Sequence, residues 1–290
     1  MSSPMRRAGS AAGSAAAEAV AAAVLWGSIG VAYRLLVAAG AEPGWLILGR
    51  PLAASVFSLA AAWAGRWPSR WSLAVGVLGL APLYVTYFLA VQRVGAAVAS
   101  LLLYTAPVWV ALLSPLAGDP LRPRLLVAAA AGVAGAALLS SSTAVADPLG
   151  AALGLASGAS YASYILLARL GQRRGASVEE VSVHAFPFAA AAVALVVRPS
   201  RLPGPVDAAG VAYLSVAGTI LPYVLNARAL ARLEAGRVAV ISLVEPLTAS
   251  LLALLLLGER LAPPQALGAL LVLASSLAAA RCSGRGGGDG

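Results

Sequence analysis

Gly79-Leu80-Ala81-Pro82-Leu83-Tyr84-Val85 is answered 139 residues later by Gly218-Thr219-Ile220-Leu221-Pro222-Tyr223-Val224. The same shift carries Ala90 onto Ala229, Arg93 onto Arg232 and Pro107 onto Pro246. One residue further, Asp119-Pro120-Leu121 falls on Glu259-Arg260-Leu261, and a shift of 135 carries Arg34 onto Arg169. Alanine matches mean little in so alanine-rich a chain, so the Gly, Tyr, Arg and Pro matches carry the weight. The sequence reads as two related halves.

Composition decides what each half is made of. Of 290 residues, 60% are hydrophobic and only 11% are charged, where a soluble domain has roughly 25% charged. Mean hydropathy is +0.87. There is too little polar surface to cover a soluble core, and the same numbers exclude disorder. About 20 apolar residues are needed for a helix to cross hydrocarbon. Ten such stretches predict ten spans: Ala19–Ala39, Gly44–Ala64, Ser72–Val91, Ala96–Leu116, Leu125–Thr143, Pro148–Leu167, Val181–Val197, Ala208–Asn226, Val238–Leu257 and Pro264–Ala280. The expected fold is an all-α integral membrane protein, with a break at Asp147-Pro148 between a first repeat, 19–143, and a second, 148–280. Residues 1–18 and 281–290 read as flexible cytoplasmic tails.

Five spans per half is an odd number, so the second half must cross the membrane upside down relative to the first. Inverted repeats of this kind characterise secondary transporters, whose sites lie near the midplane where the repeats meet. The arginines set the orientation. The chain has 20 arginines and no lysine, for a net charge of +9. With the N-terminus in the cytoplasm, 14 arginines fall on cytoplasmic segments and 4 on the other side, while Arg34 and Arg50 lie within spans. This is a strong positive-inside bias. The net charge therefore reports membrane threading and does not call for a nucleic-acid partner. Glu18 interrupts the apolar run behind Arg6-Arg7, which favours a retained first span over a cleaved signal.

The absences narrow the chemistry. Without lysine there is no P-loop lysine and no Schiff-base lysine. One histidine, His184, and one cysteine, Cys282, cannot form a four-ligand zinc site or an internal disulfide. No cofactor and no metal are expected.

Residues at the repeat positions resemble the EamA family of the drug/metabolite transporter superfamily. Leu25-Trp26-Gly27-Ser28 is similar to the family's opening Trp-Gly signature, and Arg50-Pro51-Leu52-Ala53-Ala54 to its second-span arginine followed by small residues. The most specific stretch runs from Gly218 to Gly268, through Glu245-Pro246, Gly258-Glu259-Arg260-Leu261 and Gln265. The first half departs from this pattern, with Asp119 in place of the Glu and Ala128 in place of the Gly. The resemblance covers nearly the whole chain. It implies ten helices in two inverted repeats that move small metabolites.

Several residues stand out as candidates for the site. Glu245 lies about eight residues into its span, where a carboxylate costs on the order of 2.5–3.5 kcal/mol. It is either a substrate ligand and proton acceptor or a structural acid paired with an arginine or with backbone freed by Pro246. Pro107 and Pro246 each remove a helical hydrogen bond inside a span and suggest paired kinks beside a cavity. Trp26, Tyr84, Tyr104, Tyr161, Tyr223 and Asn226 offer polar tips on apolar bodies to a solute of mixed polarity, or serve only to pack helices. Tyr87 and Tyr164 share faces with Tyr84 and Tyr161. Trp45, Trp67 and Trp71 fit an interfacial belt. Arg50 either snorkels, pairs with an acid or holds a substrate carboxylate. Glu259 is expected to cap the last span, and His184 to sit hydrogen-bonded near Glu179 and Glu180. Ala128/Gly132 and Ala131/Gly135 allow close helix approach, within the chain or across a dimer.

The expected activity is secondary transport of a small, amino-acid-like or related solute across the cytoplasmic membrane by alternating access. Export is the expected direction, with Glu245 as the proton-coupling candidate. An exporter of multiple cationic drugs on the same fold is the alternative. An intramembrane hydrolase would need Ser157 or Ser160 beside His184, and a purely structural role would leave the deep polar residues without purpose. The expected partners are a small-molecule solute and the lipid bilayer, with no nucleic acid, in a monomer or homodimer.

Overall fold

The structure, a computed structural model, describes residues 4–140, 147–258 and 262–282. No strand occurs among the described residues. Lipid offers no hydrogen-bond partners, so each backbone segment must satisfy itself, and helices do so within one segment. Nine helical stretches are long and apolar enough to cross a membrane among the described residues. We number them α1 (Pro4–Ala38), α2 (Pro43–Trp63), α3 (Arg70–Ala117), α4 (Pro123–Ser140), α5 (Pro148–Arg173), α6 (Val178–Val196), α7 (Pro205–Arg232), α8 (Ala235–Leu257) and α9 (Pro263–Arg281).

The count differs from ten because the expected spans 72–91 and 96–116 both fall in the 48 residues of α3. A straight helix of this length would extend about 72 Å, more than twice the hydrocarbon thickness. It is not straight. Gly95 has φ +76 and ψ 163, a conformation open to glycine and strained for other residues. Tyr87 Oη and Ser100 Oγ, 13 residues apart, lie 2.8 Å from each other; along a straight helix they would be about 20 Å apart. The neighbours along α5 give the same geometry. Trp71 packs at Gly171 and Tyr164 at Gly79, whereas Leu102 packs at Gly154 and Thr105 at Gly158. The first leg of α3 therefore runs against α5 and the second runs with it.

Sequence signals set the helix starts. Glu42 caps α2 by accepting from Trp45 N, with Pro43 in the first turn, and Asp147 caps α5 by accepting from Leu149 N and Gly150 N ahead of Pro148. Each device satisfies free amides of the first turn. Residues 4–18, read from sequence as a flexible tail, are helical from Pro4 onward. Alanine is the best helix former, and Glu18 and Ser14 dock on Arg232 of α7. Glu259 lies outside the described residues.

The packing pattern recurs along the chain. π-helical turns occur at Gly76–Leu80 and Val216–Ile220, 140 residues apart. Pro82 and Pro222 follow them at the same spacing. The backbone of Tyr164 lies against Gly79, and Ile29 lies against Gly218; positions 29 and 164 are 135 apart, the shift that relates Arg34 to Arg169. Thus the first helix of each half packs on the third span of the other. α4 and α9 meet at Gly135 and Gly268, where a Cβ on either would come within 2.8 Å of the other's carbonyl oxygen. The small-residue stripe of α4 is accordingly an internal contact.

Candidate functional site

Two of the spans are broken partway along their length, and the breaks create the candidate site. The second leg of α3 leaves helical hydrogen bonding at Tyr104-Thr105 and resumes at Ala106, with Pro107 in its first turn. α8 breaks at Ser242-Leu243 and resumes at Val244, just before Glu245-Pro246. Proline cannot donate and crowds the preceding turn, so the chain opens on the N-terminal side of each. Discontinuous helices of this kind are tolerated in a membrane where they face protein or an aqueous cavity. Both prolines are buried, and the side chains they set up are half-buried. Tyr104 Oη donates to Glu245 Oε1 at 3.3 Å, joining the two breaks across 141 residues of sequence.

Gly27 accounts for the Trp-Gly pair of α1. A Cβ there would stand 2.6 Å from both Glu245 O and Thr248 Cβ. The missing side chain lets α1 approach α8 at the carboxylate-bearing turn. Trp26, the adjacent residue, enters an aromatic cluster. Its ring centroid lies 5.1 Å from Tyr223 and 6.1 Å from Tyr161, both edge-on. Tyr161 stacks on Tyr164 at 5.9 Å, and Tyr164 and Phe186 each meet Tyr223 edge-on at 5.2 and 5.1 Å. Edge-on and offset pairs at such distances are attractive beyond their burial. Tyr164 Oη donates to Asn226 Oδ1 at 3.3 Å, while Asn226 Nδ2 is buried without a hydrogen-bond partner among the described residues.

The candidates fall into two layers. Tyr84, Tyr87, Tyr104, Tyr161, Arg50 and Glu245 are half-buried; Trp26, Tyr164, Tyr223 and Asn226 are buried. The buried layer leans toward the arginine-rich end: Asn226 is six residues before Arg232, and Tyr164 nine before Arg173. Sequence reading passed over Phe186, which carries no polar signal, and Thr219, an ordinary residue of an apolar span. Tyr87 and Tyr164 were visible by their spacing from Tyr84 and Tyr161.

Beyond the buried layer the halves are bonded together at the arginine-rich end. Asp119, 2% exposed, accepts from Arg169 Nε at 3.0 Å and Nη2 at 2.9 Å, from Arg173 Nη1 at 3.0 Å and from Ala235 N at 2.8 Å. Arg122 and Glu234 form a bidentate pair at 2.7 Å. The opposite end has its own clasp, where Asp207 accepts from Arg201 and from the amide of Glu42, and Trp45 Nε1 donates to Arg201 O. Arg70 and Arg174 each lie over the Trp71 ring, and Trp67 is exposed.

Among the described residues, no serine proposed for hydrolysis pairs with His184. His184 Nδ1 pairs with Ser58 Oγ at 2.8 Å, while Ser157 and Ser160 bond to carbonyls of their own helix.

Comparison with known proteins supports the reading of the chain as a membrane transporter. An "Uncharacterized transporter" of Archaeoglobus fulgidus is 30% identical over 196 residues, covering 68% of this chain and 71% of that protein. A solved crystal structure superposes with a TM-score of 0.78 at 23% identity, covering 92% of this chain and 96% of that one; at such identity it speaks for the fold alone. The model of the EamA-like transporter family matches twice, over residues 14–141 and 148–280. With its many apolar helices, this multi-pass membrane protein belongs to the EamA-like transporter family.

Proposed function

We propose that the chain is a secondary transporter that exports a small, amino-acid-like solute across the cytoplasmic membrane by alternating access between two inverted five-span repeats, 19–143 and 148–280. α3 supplies two crossings, for ten in all. Both termini lie on the arginine-rich, cytoplasmic side, as the positive-inside bias requires. The solute sits among Tyr84, Tyr104, Tyr161 and Glu245, above the buried floor of Trp26, Tyr223 and Asn226, with Pro107 and Pro246 holding the helix breaks open. The observation that carries this reading is the Tyr104–Glu245 hydrogen bond between the two breaks. It joins a carboxylate and a phenol from opposite halves, which supports a shared site at the two helix breaks. A ligand there touches both repeats, so its binding can favour one relative arrangement over the other.

In this reading the aromatic floor and the Asp119 bonds close the arginine-rich end. Glu245 is the proton-coupling group. The test is gradient-driven solute flux in liposomes for wild type and Glu245→Gln. The variant loses the dependence on an imposed pH gradient; an unchanged dependence removes the coupling role. Metabolite profiling of medium from cells with and without the protein supplies the solute. Export of bulky cations, the alternative on the same fold, predicts a growth advantage of expressing cells on a panel of cationic drugs.

A further inference from the structure

Glu245 is not the only charge on this site. Arg50 leaves α2 about two turns from its start and reaches across to the π turn of α7. Its Nε donates to Thr219 Oγ1 at 3.0 Å and its Nη2 to Gly218 O at 3.1 Å, with Tyr84 Oη at 3.5 Å from the same nitrogen. Its guanidinium carbon lies 5.6 Å from the centre of the Tyr84 ring. Thr219 Oγ1 is itself fixed by donating to Leu214 O at 2.8 Å, and Ser215 Oγ donates to Arg50 O. The guanidinium is thus held in place on one edge and one face. Its remaining nitrogen, Nη1, makes no hydrogen bond among the described residues.

Among the described residues, seven of the other arginines are compensated by a carboxylate, while Arg70 and Arg174 lie over the Trp71 ring. Arg66, Arg93, Arg122, Arg169, Arg173, Arg201 and Arg232 each lie within 3.0 Å of a carboxylate oxygen. Buried Arg237 donates to the carbonyls of Ala279 and Ala280. Arg50 forms no ion pair with a carboxylate among the described residues, yet α1 links its site to that of Glu245: Gly27 lies against Glu245 O and Ile29 against Gly218, whose carbonyl accepts from Arg50. Among the described residues Glu245 has no arginine in contact, and its side chain bonds only to the Tyr104 hydroxyl. Isolated charges in a membrane are costly, and direct contact would cancel both. Two opposite charges fixed near each other but apart are positioned for a third group.

We infer that Arg50 is a specificity-determining residue: its free Nη1 edge receives the anionic group of the solute while Glu245 receives the cationic group, so the site selects a solute that carries both. The inference rests on the transporter reading and adds the residue that sets its charge selectivity. The π turn at Val216–Ile220 acquires a purpose, since Gly218 O and Thr219 hold the guanidinium at the required angle. A lysine could not reproduce this, because the planar fork makes both sets of bonds at once.

The test uses L-leucine, its methyl ester, which leaves only the cation, and N-acetyl-L-leucine, which leaves only the anion. The readout is the rise in melting temperature of the purified full chain with probe concentration, since a ligand that binds the folded state stabilises it by mass action. Wild type responds to L-leucine at concentrations about tenfold or more below those needed for either capped probe, the effect of one charge-assisted hydrogen bond. Arg50→Gln abolishes the advantage of L-leucine over the ester and leaves the ester response; Glu245→Gln removes the ester response and leaves that to the N-acetyl compound. A general structural defect would lower all responses together. Thr219→Val, which removes one of the bonds that orient the guanidinium, weakens L-leucine severalfold and spares the ester, and keeps the inference testable if Arg50→Gln fails to fold. Equal wild-type responses to L-leucine and its ester, a parallel loss of both in the variants, or no response of wild type to any probe overturns the inference. The transport reading is judged separately by solute release from expressing cells.

Discussion

Replacing Asp119 with alanine is the perturbation whose size the structure sets most directly. Asp119 sits in the turn after the second leg of α3 and accepts hydrogen bonds from Arg169 and Arg173 of α5 and from the amide of Ala235 at the start of α8. Arg169 is mostly buried, with 11% of its side chain exposed, so its charge-assisted bonds contribute about 1.5–3 kcal/mol. The Ala235 amide contributes about 1 kcal/mol. Arg173 is 46% exposed, and solvent screening holds its share to about 0–1 kcal/mol. The whole comes to roughly 3–5 kcal/mol, the range seen when one partner of a buried ion pair is removed. If these bonds exist only while the arginine-rich end is closed, their loss shifts the balance toward the open arrangement by on the order of a hundredfold or more. Asn226 is fully buried just inside this closure. A Cys282→Ser, Asn226→Cys chain in inside-out vesicles reports the opening through its rate of reaction with a membrane-impermeant maleimide. Adding Asp119→Ala raises that rate by about the same factor, up to the limit set by full opening. Asp119→Asn, which keeps an acceptor oxygen, gives a smaller rise. A folded Asp119→Ala protein labelled at the parent rate would show that the bonds persist in both arrangements and refute the reasoning.

Three further outcomes follow from the packing and electrostatics. Gly27→Ala forces α1 and the Glu245 turn apart, because the new Cβ would stand 2.6 Å from Glu245 O; solute flux falls while the chain still inserts, and flux equal to wild type counts against close approach as the purpose of this glycine. Gly135→Val places a branched side chain against the backbone of Gly268 and Val272, and the overpacking lowers stability by about 1–3 kcal/mol, read as a lower midpoint of thermal unfolding in detergent. The Arg93 guanidinium, with the amides of Gly150 and Leu149, holds the Asp147 carboxyl below the usual carboxylate range. Its stabilisation is present above the ordinary aspartate value of about 4 and is lost as pH falls through the lowered value. The melting-temperature gap between wild type and Asp147→Asn therefore narrows on acidification from about pH 5 to 2, and a gap constant over that range argues against the ion pair.

Some of this architecture is written locally. Hydropathy over about 20 residues marks a span because lipid leaves the backbone no other partner than itself. The spans of α2 and α5 begin where Glu42-Pro43 and Asp147-Pro148 satisfy or remove first-turn amides. The recurrence of Gly79, Tyr84, Arg93 and Pro107 at 218, 223, 232 and 246 pointed to two related halves, and arginine placement gave them an expected orientation. The depth of Glu245 and of Tyr104 within their expected spans made both residues candidates.

Tertiary structure decided the rest, because these helices are apolar on nearly every face and alanine-rich faces do not specify rotation. Sequence could not show that Tyr104 would meet Glu245, that Gly27 serves the approach of α1 to α8, or that Gly135 faces α9 within the chain. The π turns left no mark in composition, yet one of them supplies the carbonyl that holds Arg50. Residues 4–18 looked like a tail because they are small and weakly apolar, and their helix is docked by partners more than 200 residues away. Hydropathy is summed over one segment and is fixed by the sequence of that segment. Whether two distant charges touch or stand apart depends on the tilt and rotation of several helices at once, and only their packing sets those.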